Sequence, residues 1–263
     1  MRIGLAFDAK PPGAQLAPGE PDDLFEEYAP EETVASIQGA IEGCGHEVVR
    51  LGGGREFLRA VLDTPVDFVF NISEGKGAFR SREGQVPSVL EMLGIPYSFS
   101  DPLTLGISLD KALTKRMAAD AGVAVPPGWM LGHPPDLDRL LASAPPFPLF
   151  AKPAFEGSSK GIRNSSLARS PEELRAEVGR ILGGYGQPVL VEGFVAGDEY
   201  TVAVLGNDPP AAVGAMRIRP KRGPAPDFVY SVEVKRDWRN QVGYDVPPPP
   251  IEPRRLTAPS CAP

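Results

Sequence analysis

Thirteen residues near the middle of the chain, "FAKPAFEGSSKGI" (150–162), combine lysines, a carboxylate, glycines and serines. The glycines allow the backbone to bend so that successive N–H groups point into one concavity, and the serines add hydroxyl donors. A lysine at the end of the preceding apolar strand can reach an anion held there. The stretch predicts a phosphate-binding loop, but it matches neither GxxxxGK[ST] nor GxGxxG, and a flexible turn is the alternative. The residues concerned are Lys152, Gly157, Ser158, Ser159 and Gly161.

Further lysines and two glutamates extend this pattern. Lys115 and Lys152 are two cations that could converge on one polyphosphate, as phosphoryl transfer requires, and Lys111 shares a helix face with Lys115. In "LVEGFVAGDEY" (190–200), two glutamates could accept hydrogen bonds from adenosine, and the backbone between them could contact the base. Strand alternation explains each glutamate equally well by itself. The residues of this stretch are Glu192, Phe194, Val195 and Glu199.

The elements that would position these groups begin with alternating strand and helix patterns in the first hundred residues. This order predicts a parallel sheet with helices on its faces, and ligands of such sheets bind at the carboxyl ends of the strands. Residues 71–74 follow the third strand and lie at such an end. The predicted strands are at 2–7, 46–52, 66–73 and 95–100, and the predicted helices are at 31–45, 55–62 and 82–94.

Between the first strand and the first helix, residues 10–32 are rich in proline, glycine and acidic side chains. The simpler interpretation is a solvated loop. The alternative is the rim of a binding site, because the segment leaves the carboxyl end of the first strand.

The second half of the chain has an α+β pattern. A long helix is predicted over 102–121. A later helix has Ser170 as its N-cap, Pro171 at its first position and Glu173 closing a capping box. The predicted strands are at 146–154, 188–197, 199–206 and 211–220, and the last three look antiparallel.

Composition limits the class of protein. The 263 residues carry a formal net charge of −7, which argues against a nucleic-acid partner or a general attraction to anionic membranes. No apolar run is long enough for a signal peptide or a membrane span, so we expect a cytoplasmic protein. Cys44 and Cys261 form no disulfide or metal pattern, and His46 and His133 have polar settings typical of surface residues.

Three ordered motifs resemble the D-alanine–D-alanine ligase family of ATP-grasp enzymes. They are "NISEGKGAFRSREGQVPSVLEMLGIPYSFSDPLTLGISLDKALTKRMAADAGVAVPP" (71–127), "AKPAFEGSSKGI" (151–162) and "VLVEGFVAGDEYTVAVLG" (189–206). The resemblance implies an α/β fold with an N-terminal parallel-sheet (pre-ATP-grasp) domain at 1–103. An α+β ATP-grasp domain would follow, with subdomains at 104–188 and 189–246, the second incomplete. Proline-rich residues 247–263 predict a disordered tail.

The roles of individual residues are implied by this resemblance. The loop from Glu156 to Gly161 would be a flexible lid over ATP, with Ser158 or Ser159 near the substrate. The residues implied to contact ATP are Lys115, Lys152 and Lys235 at the phosphates, Glu156 in the loop, and Glu192, Phe194, Val195 and Glu199 at the adenine and ribose.

The implied reaction joins two D-alanines into a cell-wall precursor. ATP phosphorylates the carboxylate of the first D-alanine, and the amine of the second attacks the acyl phosphate with loss of phosphate. Magnesium normally bridges the ATP phosphates in such reactions. By analogy with the family, the partner would be a second copy in a homodimer.

Two departures from the family pattern keep alternatives open. Residues 71–84 differ from the HGxxGEDG motif of standard ligases, and Arg236 stands where they have a tyrosine, so another amino acid or a dipeptide is an alternative substrate. The family pattern also continues beyond residue 246 with an arginine, an aspartate and a glutamate–x–asparagine motif. We therefore name no metal ligand, expect an exposed apolar face on the second subdomain, and keep a truncated, inactive nucleotide-binding remnant as a third hypothesis.

Overall fold

The computed structural model describes the chain at residues 1–11, 13, 15–222 and 227–246. The tail predicted at 247–263 lies outside these residues, and so does Cys261. None of the helices in the described part is long and apolar enough to cross a membrane.

Two compact units divide the chain: a first unit, Met1–Phe194, and a second unit, Val195–Pro263. The domain boundaries predicted after residues 103 and 188 stay predictions. The first unit contains β1 (Arg2–Phe7), α1 (Glu31–Gly43), β2 (Glu47–Gly52), α2 (Gly54–Asp63), β3 (Phe68–Ile72), α3 (Gln85–Leu93), α4 (Pro102–Leu109), α5 (Lys111–Asp120), β4 (Gly128–Leu131), α6 (Pro134–Ala142), β5 (Leu149–Pro153), β6 (Leu167–Ala168), α7 (Pro171–Tyr185) and β7 (Val189–Gly193). The second unit contains β8 (Glu199–Leu205), β9 (Ala211–Pro220), α8 (Val232–Arg236), α9 (Trp238–Gln241) and β10 (Val242–Asp245).

The N-terminal sheet is parallel, as predicted, with β1 in the centre between β2 and β3. Successive side chains of β1 point to opposite faces. Leu5 packs with Val34 of α1, whereas Ala6 belongs to a core that contains Phe57 of α2 and Leu90 of α3. The sheet is therefore covered on both faces, as parallel sheets usually are. Because its strands are parallel, the carboxyl ends of all three lie at one edge.

The prediction of a fourth strand at 95–100 is wrong. Only a single parallel bridge, between Val69 and Tyr97, forms there. Phe99 has a left-handed backbone with φ of 71°, which is incompatible with continuing an extended strand.

The single helix predicted over 102–121 is also wrong, because the structure divides it into α4 and α5. Asp110 between them has φ −79° and ψ 92°, outside the helical region. Its carboxylate accepts a hydrogen bond from the Leu113 N–H at 3.0 Å and so caps α5. An aspartate that bonds its own following backbone competes with helix continuation, which explains the break.

The second sheet has the strand order β4-β7-β5-β6, and all its pairings are antiparallel. Leu149 and Ala151 of β5 face the core formed with α6 and α7, so Lys152 lies on the opposite face. Since β7 lies in this sheet, the prediction that it joins the next two strands is wrong. The antiparallel pairing of β8 with β9 is confirmed.

The cap predicted for α7 is confirmed at Ser170, whose hydroxyl accepts from the Glu173 N–H at 3.2 Å. Glu173 does not close the predicted capping box on Ser170, because its carboxylate accepts from the Arg169 N–H instead, at 2.6 Å. The helix still begins where the sequence predicts.

The second unit contains a sheet with the order β10-β9-β8. Every residue of β8 is exposed, and Tyr200, Val202 and Val204 are about half exposed, at 55%, 55% and 49%. The apolar face expected on this part of the chain is therefore present.

Candidate functional site

Two predicted lysines meet one predicted glutamate on the face of the second sheet opposite α6 and α7. Glu192 is buried, with 6% exposure, and each of its carboxylate oxygens binds one ammonium group. Lys115 contacts Oε1 and Lys152 contacts Oε2. We call these three residues the lysine cluster.

Local sequence explains how the lysine cluster is assembled. Lys152 is the fourth residue of β5, and Glu192 is paired in register with Phe150 of β5 and with Gly128 of β4. A Cβ atom at position 128 would lie 2.7 Å from the Nζ of Lys115. Gly128 therefore leaves the space that Lys115 needs to reach across β4, a role that sequence reasoning missed.

The charge of the lysine cluster is unbalanced. Burial alone opposes ionisation of Glu192, but the charge of Lys152 and hydrogen bonds from both lysines outweigh it and hold the pKa of this carboxyl below its usual value. One ionised carboxylate facing two ammonium groups leaves an excess positive charge. Such a site attracts an anion with several charges.

Lys111 adds a third cation near this site, although it was not among the predicted contacts. Its ammonium donates to the carbonyl oxygen of Glu156. Burial, together with the charge of Lys152, lowers the pKa of Lys111 to about 8. The signal for Lys111 was its spacing of four residues from Lys115 on one helix face.

The predicted phosphate loop, residues 156–161, contains three residues in left-handed backbone conformations. The φ angles are 48° at Ser158, 62° at Ser159 and 77° at Gly161. A Cβ atom on Gly161 would lie 2.2 Å from Cγ of Pro153, so only glycine fits this position. These conformations bend the backbone sharply, as the glycines and serines of the sequence predict, and phosphate binding by the loop stays a prediction.

The base of the loop lies in a second cluster of buried ions, which we call the loop seat: Glu27, Arg82, Glu156 and Lys160. Arg82 Nη2 lies 2.8 Å from Oε2 of Glu27 and 2.9 Å from Oε2 of Glu156. Lys160 Nζ lies 2.9 Å from the same oxygen of Glu156. All four residues are less than 10% exposed.

The acidic segment before α1 supplies two anchors for the loop, and we call residues 20–27 the acidic strap. Glu27 accepts a hydrogen bond from the Gly157 N–H, and Asp23 accepts one from the Gly161 N–H at 2.8 Å. Asp23 is fully buried. The solvated-loop interpretation is therefore wrong for these two residues, although the described residues at 15–20 are exposed.

Glu156 was predicted to contact ATP, and its carboxylate is bound to protein groups in this structure. Besides Arg82 and Lys160, Gln187 donates to its Oε1 at 2.7 Å. The same Gln187 accepts from the Phe155 N–H at 2.7 Å. Contact between Glu156 and ATP stays a prediction.

Glu74, at the carboxyl end of β3, experiences several negative charges. Burial and the carboxylates of Glu27 and Glu83 raise the pKa of Glu74 to about 7, although Arg82 opposes this shift. The structure thus brings the predicted 71–74 region near the loop seat, as the position of this strand end suggested.

The remaining predicted residues are one in the first unit and three in the second unit. In the first unit, the ring of Phe194 lies 6.2 Å from that of Phe150. In the second unit, Val195 is 70% exposed, Glu199 begins β8, and the Nζ of Lys235 lies 5.2 Å from the ring centre of Tyr230. Their predicted contacts with ATP stay predictions.

Metal ligands do not cluster in the described part of the chain. No group of three or more histidine, cysteine, aspartate or glutamate side chains there is arranged to hold a metal ion. Magnesium therefore has no assigned protein ligand.

Comparison with known sequences finds relatives named D-alanine--D-alanine ligase and an uncharacterized protein. A family model described as D-ala D-ala ligase C-terminus matches residues 127–249. A D-alanine--D-alanine ligase of Chlorobium limicola is 39% identical over 171 residues, which are 60% of this chain and 46% of the relative. An uncharacterized protein y4sG of Sinorhizobium fredii is 31% identical over 217 residues, 79% of this chain and 62% of the relative. The chain thus spans about half to three fifths of the length of these relatives.

Comparison with solved structures finds the same fold. A D-alanine--D-alanine ligase from Bacillus anthracis complexed with ATP has a TM-score of 0.59 and 21% identity, over 96% of this chain and 71% of that one. The VanG D-Ala:D-Ser ligase from Enterococcus faecalis has a TM-score of 0.63 and 18% identity, over 95% and 77%. The predicted fold class is confirmed by these likenesses.

Proposed function

The chain belongs to the D-alanine–D-alanine ligase family, and we propose that it is an ATP-dependent carboxylate–amine ligase that joins two D-alanines. The observation that carries this proposal is the lysine cluster. Lys115 and Lys152 converge on the single carboxylate of Glu192, and Lys111 lies nearby beside the glycine–serine loop. A polyphosphate would supply the negative charge that this arrangement lacks.

In the proposed reaction, the lysines neutralise the phosphates of ATP and the loop contacts them through Ser158 and Ser159. The two lysines would exchange the carboxylate of Glu192 for phosphate oxygens, which frees Glu192 to accept a hydrogen bond from the adenosine. Positioned cations stabilise the negative charge that develops as the phosphoryl group is transferred.

The chemistry has two steps. A carboxylate oxygen of the first D-alanine attacks the terminal phosphorus of ATP, which gives an acyl phosphate and ADP. The amine of the second D-alanine then attacks the acyl carbon, a C–N bond forms, phosphate leaves with the bonding electrons, and the amine loses a proton. Magnesium would add charge neutralisation when bound. We place this reaction in the cytoplasm and in peptidoglycan precursor synthesis, and a homodimer stays an analogy with the family.

A second candidate substrate is another amino acid or a dipeptide. It is favoured by the region after β3, where Arg82 pairs with Glu27 and Glu156 in a sequence that departs from the standard ligase motif. A panel of amino-acid pairs in a phosphate-release assay separates this candidate from D-alanine.

The experiment that tests the proposal is calorimetric titration with ATP and magnesium, beside the phosphate-release assay. The wild-type chain is compared with Lys152→Met and with Lys10→Met, which removes an exposed lysine outside the cluster. Turnover that only Lys152→Met abolishes supports the ligase. Binding without turnover indicates an inactive nucleotide-binding remnant, and the absence of both contradicts ATP chemistry for this chain.

A further inference from the structure

We propose that the acidic strap seats the glycine–serine loop for phosphate binding, and that Arg82 is the positioning residue that joins the strap to the loop. The catalytic consequence rests on the proposed function, but the seating itself does not. The sequence patterns did not predict Arg82, Glu27 or Asp23 as individual site residues.

The strap holds the loop at two points that flank its tip. Glu27 binds the amide of Gly157 before the tip, and Asp23 binds the amide of Gly161 after it. The two left-handed serines, Ser158 and Ser159, lie between these anchors. The anchors therefore set the direction in which the tip presents its backbone and hydroxyl groups.

Arg82 connects three parts of the chain through one guanidinium group. Its Nη1 donates to the carbonyl oxygen of Phe155 at 2.6 Å, directly before the loop. Its Nη2 donates to both oxygens of Glu27, at 3.0 and 2.8 Å, and to Glu156 at 2.9 Å. Only the planar fork of arginine can make these bonds together, because the ammonium of lysine is a single point charge.

The loop seat is balanced in charge and closed to solvent. Arg82 and Lys160 supply two positive charges, and Glu27 and Glu156 supply two negative charges. The side chain of Arg82 is 4% exposed and that of Glu27 is 2% exposed. A balanced, buried cluster needs no ligand to complete it, so the position of the loop base is set before any nucleotide binds.

Each anchor has its own support, which allows a sharp test. Glu27 is held by Arg82, whereas Asp23 accepts a second hydrogen bond from the hydroxyl of Tyr185 at 2.7 Å and forms an ion pair with Arg163 at 3.2 Å. Removing Arg82 should loosen the Gly157 end of the loop first. Removing the Tyr185 hydroxyl should loosen the Gly161 end first.

The test is amide hydrogen exchange, followed by NMR on the full chain. In Arg82→Met, we expect the exchange rate of the Gly157 amide to rise at least about tenfold, and to rise more than that of the Gly161 amide. A hydrogen bond to a charged group typically changes an equilibrium constant by more than about tenfold, and opening of the Gly157 amide is such an equilibrium. Tyr185→Phe should reverse this order. Arg82→Lys, which keeps the charge but loses the fork, should give an intermediate rate at Gly157.

Matched controls separate seating from general destabilisation. Arg175→Met removes an arginine whose ion pair with Asp138 is on the surface, and it should change neither amide. Amides in the buried central strand β1 report global opening, so the change in their exchange measures general destabilisation, and the Gly157 and Gly161 rates are compared with it in each variant. If Arg82→Met does not fold, Glu27→Gln is measured in its place. It should also raise exchange of the Gly157 amide more than exchange of the Gly161 amide. Equal exchange of the Gly157 amide in the wild type and in a folded Arg82→Met or Glu27→Gln variant would overturn the proposal.

A titration with ATP and magnesium tests whether the seating of the loop affects nucleotide binding. Arg82→Met should weaken ATP binding, Arg82→Lys should restore part of it, and Arg175→Met should leave it unchanged. Unchanged affinity in Arg82→Met would overturn the role in phosphate binding. If the wild-type chain binds no ATP, the proposed function fails, and the exchange measurements still decide whether the strap seats the loop.

Discussion

The lysine cluster and the loop seat are both built from buried or half-buried ions, but they differ in charge balance. In the lysine cluster, Glu192 faces Lys115 and Lys152, with Lys111 nearby. In the loop seat, two cations face two carboxylates. An excess of positive charge therefore identifies a site that a negatively charged ligand neutralises. A cluster of buried ions with equal charges of both signs is already neutralised by protein groups.

The side chains of the lysine cluster are also more exposed to solvent than Arg82 of the loop seat. The side chains of Lys115 and Lys152 are 18% and 21% exposed, whereas that of Arg82 is 4% exposed. A ligand can therefore reach the lysines directly, but it cannot reach Arg82 without displacing protein. This contrast predicts that substitutions in the lysine cluster change binding, and substitutions in the loop seat change stability first.

The largest expected effect is on stability, from Arg82→Met. Removing Arg82 leaves two buried carboxylates, Glu27 and Glu156, to share the single ammonium of Lys160, and breaking a buried pair in this way typically costs about 3–5 kcal/mol in the free energy of unfolding. Urea denaturation measures this loss. The surface control Arg175→Met should change the same free energy by less than about 0.5 kcal/mol. Equal effects of the two substitutions would remove the distinction between a buried seat and a surface pair.

The next effect is on turnover, from Lys152→Met. Loss of one positioned donor to a developing negative charge typically lowers kcat by about 100- to 1000-fold. Glu192 keeps Lys115 as a partner, so the free energy of unfolding should fall much less than in Arg82→Met. The phosphate-release assay and urea denaturation together check this separation. A large stability loss with unchanged turnover would reverse the comparison.

A pair of glycine substitutions tests the geometry of the loop. Gly161→Ala places a Cβ 2.2 Å from Pro153 in a left-handed backbone, and the conformation alone costs about 1–2 kcal/mol. Gly179→Ala lies at an exposed position of α7 with open space around its Cβ and should stabilise by about 0.5–1 kcal/mol. Thermal unfolding of both variants checks the opposite signs. The same sign for both would mean that Gly161 is not constrained.

The last expected effect is the pH dependence from Lys111. Its folded pKa of about 8 lies below the unfolded value of 10.5, so the unfolded chain binds more protons between these values. The wild type should therefore gain stability relative to Lys111→Met as the pH rises from about 8 to about 10. NMR titration of the lysine side chain measures the pKa, which ATP should raise. A pKa near 10.5 without ATP would contradict the buried, repelled environment.

Sequence patterns predicted the parallel sheet and most helices because these depend on local apolar periodicity. They failed at Asp110, where one polar side chain ends a helix, and at Phe99, where a left-handed residue ends a strand. They also placed β7 in the wrong sheet, since its neighbours in space, β4 and β5, are not its neighbours in the chain. Strand order depends on packing between distant segments, which periodicity does not encode.

The sequence by itself determined the types of the functional groups: Lys115, Lys152 and Glu192, together with the glycines and serines of the loop. Only the tertiary structure decided that one glutamate holds both lysines. It also decided that Glu27 binds the amide of Gly157, which lies 130 residues further along the chain. The physical reason is burial. A charge removed from water must find its partners in three dimensions, and those partners come from whichever segments the fold brings to the same place.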